Sequence, residues 1–172
     1  CRQVTLVGTA GRIICQKNPS LFNEIARAFA DEPAVRFLWI GDGELRSRLS
    51  SPNIMVTGWL PADRVREELG RLDVYLSTAL WEGLPLSALQ AMGAGKPLLL
   101  FDCVGNKDLV AEGENGFLFT EKAAAVERIR SLRADPPRAQ SLGAASARMV
   151  RTRFALTNML DQFRRLYLEL AD

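Results

Sequence analysis

Residues 81–92, WEGLPLSALQAM, decide the fold because they join a buried strand to a helix. The strand is Asp73-Val74-Tyr75-Leu76-Ser77. Gly83 permits a sharp turn, and Pro85 suits the first position of a helix, where a missing N–H costs nothing. In an open α/β sheet, ligands bind at the carboxyl ends of the strands, where helix N-termini attract anions. We therefore predict that Glu82 lies beside a ligand.

Strands and helices alternate along the whole chain. The predicted strands are Val4–Thr9, Val35–Ile40, Asn53–Thr57, Asp73–Ser77, Pro97–Phe101 and Gly116–Phe119. The predicted helices are one capped by Asn18-Pro19, short ones over Glu44–Leu49 and Lys107–Ala111, one over Ala62–Leu69, one opened by Pro85, and a helical tail. This pattern predicts an α/β fold: a Rossmann-like parallel sheet of about six strands with helices on both faces, plus C-terminal helices. Residues 1–172 are expected to form a single domain.

The tail carries an apolar stripe at helical spacing, which predicts an amphipathic helix that packs against an apolar surface. The stripe consists of Leu156, Met159, Leu160, Phe163, Leu166, Tyr167 and Leu170. Residues 121–172 contain ten Lys and Arg against six Asp and Glu, whereas the whole chain has a net charge of only +2. The basic tail is typical of solvated helix faces, with attraction to an anionic membrane surface as the alternative.

Composition excludes several classes of protein. The chain contains no histidine, which removes Ser-His-Asp and Cys-His catalysis and His-containing metal sites. The small net charge argues against nucleic-acid binding. Cys1, Cys15 and Cys103 lack metal-ligand spacing and predict reduced thiols in a cytoplasm, and no apolar run approaches the roughly 18 to 20 residues that span a bilayer. The start at Cys1 leads us to expect a fragment of a longer protein.

Three side chains are candidates for ligand contacts at the predicted sheet edge. Arg12 and Lys17 follow the first strand and could clamp a diphosphate or decorate the surface. Gln90 lies at the border of the apolar stripe that starts at Leu86, so we expect it to be half-buried and bonded to a ribose hydroxyl or a backbone carbonyl. Trp59 could flank a base or close a loop over the core.

Other nucleotide-binding motifs are absent. Gly41-Asp42-Gly43 is followed by Glu44, Leu45 and Arg46, so the third glycine of the dinucleotide fingerprint is missing. Gly8-Thr9-Ala10-Gly11 has the wrong spacing, and the chain contains no phosphate loop of the Gly-Lys-Ser/Thr kind. The sequence therefore disfavours a nicotinamide dehydrogenase and a nucleoside triphosphatase.

Several short motifs, in this order, resemble the C-terminal, donor-binding domain of a retaining glycosyltransferase of the two-domain GT-B architecture, family 4 or group 1. The resemblance covers the chain from about Val4 to Leu170. Its landmarks are Gly11-Arg12 with Lys17, Gly41-Asp42-Gly43 with Leu45, Val56-Thr57-Gly58, Asp73-Val74, Glu82-Gly83-Leu84-Pro85 with Ala91-Met92, Gly95-Lys96-Pro97, Gly105-Asn106 with Asp108-Leu109-Val110, and Asn115-Gly116.

The resemblance implies a role for each matching position. Arg12 and Lys17, after Gly11, would hold the donor diphosphate and stabilise its developing charge, and Glu82 would contact hydroxyls of the donor sugar, so these three side chains are the implied catalytic residues. Backbone N–H groups near Gly83, Leu84, Pro85 and Leu86 would complete the phosphate site, with Trp59 and Leu60 near the base. The family usually has a ribose-binding Glu where this chain has Gln90. Gln keeps an acceptor but loses a charge-assisted bond of roughly 1 kcal/mol or more.

The implied reaction is retaining glycosyl transfer from a UDP- or GDP-linked sugar, with no essential metal and no cofactor. The acceptor, a glycan or a lipid-linked glycan, would bind mainly to an N-terminal domain that this sequence lacks, so the fragment alone is expected to be inactive. The last helix would cross back to that domain. The setting implied is bacterial polysaccharide or lipopolysaccharide assembly in the cytoplasm, with peripheral contact at the inner membrane face.

Two other functions stay open. One is a non-catalytic module that binds a nucleotide sugar, for which Gln90 is the sequence hint. The other is a GT-B-like epimerase acting on a sugar nucleotide, which would be expected to need histidine, and this chain has none.

Overall fold

A parallel sheet of six strands organises residues 4–170, the part of the chain that the computed structural model describes. The strands are β1 (Thr5–Ala10), β2 (Val35–Ile40), β3 (Ile54–Val56), β4 (Val74–Ser77), β5 (Leu98–Phe101) and β6 (Gly116–Phe119). Their order is β3-β2-β1-β4-β5-β6, and every neighbouring pair is parallel. The predicted Rossmann-like α/β fold is thus confirmed, with β1 and β4 side by side at its centre.

Residues 4–170 contain six α-helices, of which the first five cover the two faces of this sheet. They are α1 (Pro19–Arg27), α2 (Ala62–Arg71), α3 (Leu86–Gly93), α4 (Lys122–Ala134), α5 (Pro136–Arg153) and α6 (Leu156–Glu169). Helices α1 and α4 pack on one face, α2 and α3 pack on the other, and α5 contributes to both cores. This placement follows from the parallel order, because each crossover must carry the chain over a face of the sheet.

Alternation along each strand divides the core between the two faces. In β2, Phe37 and Trp39 pack against α1, whereas Leu38 and Ile40 pack in the opposite cluster. The ring of Phe22, from α1, meets both Phe37 and Trp39 edge to face, with centroid distances of 5.7 and 5.0 Å. Successive side chains of a strand point to opposite faces, so one strand supplies both cores.

Two predicted helices are not α-helical. The stretch predicted over Glu44–Leu49 contains only a 3-10 helix, Arg46–Arg48. The stretch predicted over Lys107–Ala111 is a series of turns. There the buried Asn115 supplies the hydrogen bonds, since its Oδ1 accepts from Ala111 N at 2.8 Å and its Nδ2 donates to Leu109 O at 2.8 Å. A side chain from a later residue therefore replaces helical bonding.

Helix α6 has the predicted amphipathic pattern, but the predicted packing is missing. Every residue of α6 is exposed, including the whole stripe from Leu156 to Leu170, so the stripe packs against no apolar surface within residues 4–170. Phe154, two residues before α6, is by contrast packed against the core on the α2 and α3 face.

The structure describes two of the three cysteines. Cys15 is exposed and Cys103 is buried, both as free thiols, and Cys1 lies outside the described residues. Burial raises the pKa of the Cys103 thiol, which keeps it protonated rather than nucleophilic. Across residues 4–170, no helix is both long enough and apolar enough to cross a membrane.

Candidate functional site

A cavity of about 390 Å³ opens at the carboxyl edge of the sheet, where β1, β2 and β4 end and α3 begins. Eight of the residues predicted from the sequence line it: Gly11, Lys17, Trp59, Leu60, Glu82, Leu84, Leu86 and Gln90. The remaining lining residues are Ala10, Ile40, Gly41, Val65 and Ser87. The cavity therefore joins motifs that are up to 80 residues apart in the chain, at the edge that the sequence predicted.

An ion pair lies in this cavity. Lys17 Nζ donates a hydrogen bond to Glu82 Oε1, and the two side chains are only 20% and 8% exposed. A carboxylate with so little exposure needs a partner, and the ammonium supplies both charge and a proton donor. The pair places one positive and one negative charge within reach of the same ligand.

The backbone around Lys17 is fixed by its neighbours. Lys17 ends a 3-10 helix, Cys15–Lys17, and the buried Thr78 donates from Oγ1 to Lys17 O at 2.8 Å and to Asn18 O at 3.1 Å. Asn18 adopts φ of +47°, and its side chain accepts from Leu21 N at the start of α1. Asn is among the few residues that tolerate this left-handed conformation and also cap a helix. The predicted Asn18-Pro19 cap is confirmed.

The backbone of Glu82 is held by the loop that follows β5. Glu82 N donates to Val104 O at 3.0 Å. Gly105 has φ of +86°, and a Cβ at this position would lie 2.5 Å from Glu82 O. Only glycine allows the two loops to come this close. The landmark Gly105 thus determines where Glu82 lies.

Another close backbone approach shapes the opposite wall. Gly41 has φ of +137°, and a Cβ there would lie 2.3 Å from Gly11 O. Gly41 N donates to Thr57 Oγ1 at 3.0 Å, and Thr57 Oγ1 donates to Gly58 O at 2.7 Å. These bonds hold the ends of β2 and β3 together just before Trp59, whose side chain is 67% exposed at the rim.

Helix α3 presents an uncapped N-terminus to the cavity. Pro85 is the N-cap residue, and within residues 4–170 no side chain caps the first turn. In that turn Ser87 Oγ accepts from Tyr75 OH at 2.8 Å. Burial raises the pKa of Tyr75 above its ordinary value of 10, so the phenol stays a donor and leaves the Ser87 proton available to a ligand. Free N–H groups and a hydroxyl at a helix N-terminus suit an anion.

Arg12, Gly83 and Pro85 are the predicted site residues that do not line the cavity. Arg12 is exposed, whereas its neighbour Ile13 is fully buried in the core. Gln90 lines the cavity but is exposed, not half-buried as we expected. The buried residues of α3 are Ala88, Ala91 and Met92, so the apolar face is centred away from Leu86, which is 66% exposed.

Sequence reasoning missed two polar groups. One is Ser87, which lies within residues 81–92. Its position in the first turn of the helix opened by Pro85 is the sequence feature that could have identified it. Gln16 precedes Lys17, and its Nε2 donates to Trp81 O at 2.9 Å and contacts Glu82 Oε2 at 3.5 Å. Its partner residues are 65 and 66 positions away, so only the fold brings them together. Over residues 4–170, no group of three or more His, Cys, Asp or Glu side chains is placed to hold a metal ion.

The sheet order and the position of the cavity define a Rossmann-like α/β domain with a ligand site at its strand ends. The family is then identified by its model, described as Glycosyl transferases group 1, which matches residues 4–135. The chain belongs to this family, as the motifs from Gly11 to Asn115 suggested.

A relative and two solved structures illustrate the similarity. The "UDP-Gal:alpha-D-GlcNAc-diphosphoundecaprenol alpha-1,3-galactosyltransferase" of Escherichia coli is 32% identical over 120 residues, which are 63% of this chain and 30% of the relative. The chain thus spans less than a third of that relative's length. Anabaena HepE, solved with UDP-glucose, superposes with a TM-score of 0.86 at 18% identity, over 96% of this chain and 49% of HepE. The C-terminal domain of a Francisella tularensis group 1 glycosyltransferase superposes with a TM-score of 0.76 at 17% identity, over 89% of this chain and 87% of that domain.

Proposed function

We propose that this chain is the donor-binding domain of a glycosyltransferase and that it binds a nucleoside diphosphate sugar. The observation that carries the proposal is the Lys17–Glu82 pair beside the uncapped N-terminus of α3. A diphosphate needs cations and N–H donors, and a sugar needs a hydrogen-bond acceptor for its hydroxyls. The cavity offers all of these groups within about 390 Å³.

In the proposed complex, the diphosphate lies between Lys17 and the first turn of α3. Lys17 would exchange its bond to Glu82 for the phosphate oxygens, since a diphosphate carries more negative charge than one carboxylate. The N–H groups of Gly83, Leu84 and Leu86 and the hydroxyl of Ser87 would complete the phosphate contacts. Arg12 is exposed next to the lining residue Gly11, and we propose that it reaches the diphosphate only when the donor is bound.

The sugar and the nucleoside would occupy opposite ends of the cavity. Glu82, freed from Lys17, would accept hydrogen bonds from the sugar hydroxyls. The base would lie against Trp59, Leu60 and the end of β2, and Gln90 would contact the ribose. UDP is the first nucleotide to test, because the E. coli relative uses UDP-galactose and HepE was solved with UDP-glucose.

We propose that transfer retains the anomeric configuration and needs no metal or cofactor. Lys17 and Arg12 would stabilise the charge that develops on the leaving diphosphate, which is the contribution a metal makes elsewhere. Their effect would be larger in the transition state, when the bond to the sugar breaks and the diphosphate gains charge. Insensitivity of turnover to EDTA, and an NMR assignment of the product anomer, would test these points on a full-length enzyme that contains this chain.

We further propose that the acceptor binds to a separate N-terminal domain, so that the 172-residue chain binds donor without transferring sugar. The E. coli relative acts on a diphosphoundecaprenol-linked sugar, which supports a lipid-linked acceptor and a role in polysaccharide or lipopolysaccharide assembly. Such an acceptor would place the enzyme in the cytoplasm, in peripheral contact with the inner membrane face.

Calorimetric titration of the chain with UDP, GDP, ADP and UDP-glucose tests donor binding. Lys17→Ala should weaken binding of the preferred nucleotide by about 10- to 100-fold, because it removes a charge-assisted bond. Arg12→Ala measures the separate contribution of the exposed guanidinium. Lys122→Ala is the matched control, because Lys122 is half exposed at the start of α4, where it faces Glu24. Equal affinities of wild type and Lys17→Ala would refute the diphosphate site.

The alternative is a module that binds the donor but belongs to an inactive enzyme, as Gln90 suggests. Gln90→Glu in the full-length protein separates the two functions. If the protein is an active transferase, wild type turns over UDP-sugar and the substitution changes mainly KM. If the module is non-catalytic, neither form releases UDP.

A further inference from the structure

Gln16 is a polar side chain of the site to which the proposed function gives no role. It is half-buried in the 3-10 helix Cys15–Lys17, and its side chain contacts two consecutive residues of the loop between β4 and α3. Its Nε2 donates to Trp81 O at 2.9 Å, while the backbone carbonyl of Gln16 accepts from Leu80 N at 2.9 Å. The same Nε2 lies 3.5 Å from Glu82 Oε2. Gln16 therefore links the segment of Lys17 to the loop of Glu82.

The two oxygens of Glu82 have different partners. Lys17 binds Oε1, whereas Gln16 contacts Oε2. Lys17 is charged, so an incoming diphosphate attracts it away from Oε1. Gln16 is neutral and is also bonded to Trp81 O, so a diphosphate has little effect on it.

We infer that Gln16 is the positioning residue that keeps the Glu82 carboxylate oriented for the donor sugar while Lys17 turns to the diphosphate. The inference rests on the proposed function, in which Glu82 accepts hydrogen bonds from sugar hydroxyls. A carboxylate that is 8% exposed loses its charged partner at the moment of donor binding, and one remaining donor fixes its orientation. Gln16 acts through Glu82, so it affects recognition of the sugar and leaves recognition of the nucleotide unchanged.

The variant Gln16→Met tests this role, because Met has a similar length and no N–H donor. Affinities of the chain for UDP, UDP-glucose and UDP-galactose are measured by calorimetry. We expect the Kd for UDP to stay within about twofold. The Kd for the preferred UDP-sugar should rise about fivefold, the effect of an ordinary hydrogen bond, because the contact between Gln16 Nε2 and Glu82 Oε2 is long at 3.5 Å. Gln162→Met, on the exposed face of α6, is the matched control and should change neither value.

Two results would overturn the inference. One is an equal loss of affinity for UDP and UDP-sugar, which would give Gln16 a merely structural role in the loop. The other is additivity with Glu82→Ala: if Gln16 acts through Glu82, adding Gln16→Met to Glu82→Ala has no further effect on the ratio of the two affinities.

A ligand-free measurement separates failure of this inference from failure of the proposed function. If wild type binds no UDP-sugar more tightly than UDP, the proposed sugar contact of Glu82 fails. The crystal structure of Gln16→Met without nucleotide then decides the positioning role by itself. A Glu82 carboxylate that has left its wild-type orientation supports the role, and an unmoved carboxylate refutes it.

Discussion

At the scale of single residues, the Lys17–Glu82 ion pair predicts that removing one charge destabilises the fold more than removing both. Lys17→Met should lower the free energy of unfolding by about 2–3 kcal/mol, somewhat less than for a fully buried pair because Lys17 is 20% exposed. Lys17→Met/Glu82→Gln removes the unpaired charge and should recover most of this loss. Urea denaturation of the three proteins measures the effect. A double variant as unstable as the single one would show that the pair does not couple.

We expect position 105 to tolerate no residue other than glycine without a loss of stability. Gly105→Ala combines an unfavourable φ of +86° with a Cβ 2.5 Å from Glu82 O, and we expect it to cost about 2–4 kcal/mol of stability. Gly70→Ala in α2 is the control, because a Cβ there meets no atom within 4 Å, and it should stabilise by up to about 1 kcal/mol. Similar denaturation midpoints for the two variants would contradict the close approach of the loops.

Part of the site could be predicted residue by residue. Lys17, Glu82 and Trp59 were placed at one sheet edge because each follows a predicted strand, and parallel strands end on the same edge. The pairing of Lys17 with Glu82 could not be predicted, because it depends on side-chain geometry across 65 positions. The charges of this segment do not reveal that Arg12 is exposed beside the buried Ile13 and outside the cavity lining.

At the scale of elements, the start of α1 depends on a single residue with two tasks. Asn18→Gly keeps the left-handed backbone and loses the cap, so it should cost only a few tenths of a kcal/mol. Asn18→Ala loses the cap and adds strain at φ of +47°, and we expect about 1–2 kcal/mol. Thermal denaturation should rank the proteins as wild type, Asn18→Gly, Asn18→Ala. The reverse order of the two variants would exclude strain at this position.

Elements with strong local signals were predicted well. The strand Val35–Ile40 was predicted with its observed bounds, because an apolar run interrupted only by Arg36 ends at a Gly-Asp-Gly turn. The helix predicted over Lys107–Ala111 was wrong because the backbone there is bonded by Asn115, a contact that periodicity does not contain. The phase of α3 was misjudged because Leu86, although apolar, lines the cavity and does not face the core.

At the scale of the whole molecule, alternating strand and helix signals were enough to predict the Rossmann-like sheet. The segments between successive strands are long enough for crossover connections, which predicts parallel strands. Parallel strands end on one edge of the sheet, and that edge holds the site. The surface that α6 covers could not be identified in the same way. Its apolar stripe predicts a partner, but no residue from 4 to 170 supplies one.

The raised pKa of Tyr75 predicts how the stability of the whole fold changes at high pH. Below pH 10 the phenol is protonated in the folded and unfolded chains alike, so it adds no pH dependence. Above pH 10 the unfolded chain loses this proton first, and the free energy of unfolding falls by up to about 1.4 kcal/mol per pH unit until pH exceeds the folded pKa.

Tyr75→Phe isolates this effect. At pH 7 the variant should be less stable by about 1 kcal/mol, since it lacks the hydrogen bond to Ser87. Above pH 10 the difference in free energy of unfolding between wild type and Tyr75→Phe should become smaller and then change sign. Urea denaturation of both proteins from pH 7 to pH 11 measures it, and a gap that stays constant would contradict the link between burial and titration.

The strand order also constrains how the chain folds as it is synthesised. Strand β1 meets β2 about thirty residues later in the chain, but its other neighbour β4 follows only after residue 73. A nascent chain can therefore assemble β3, β2 and β1 while one side of β1 is still an open edge with free N–H and C=O groups. Such an edge invites pairing with other chains. Translation through residues 57–73 is thus one interval in which the edge of β1 is exposed to pairing with other chains.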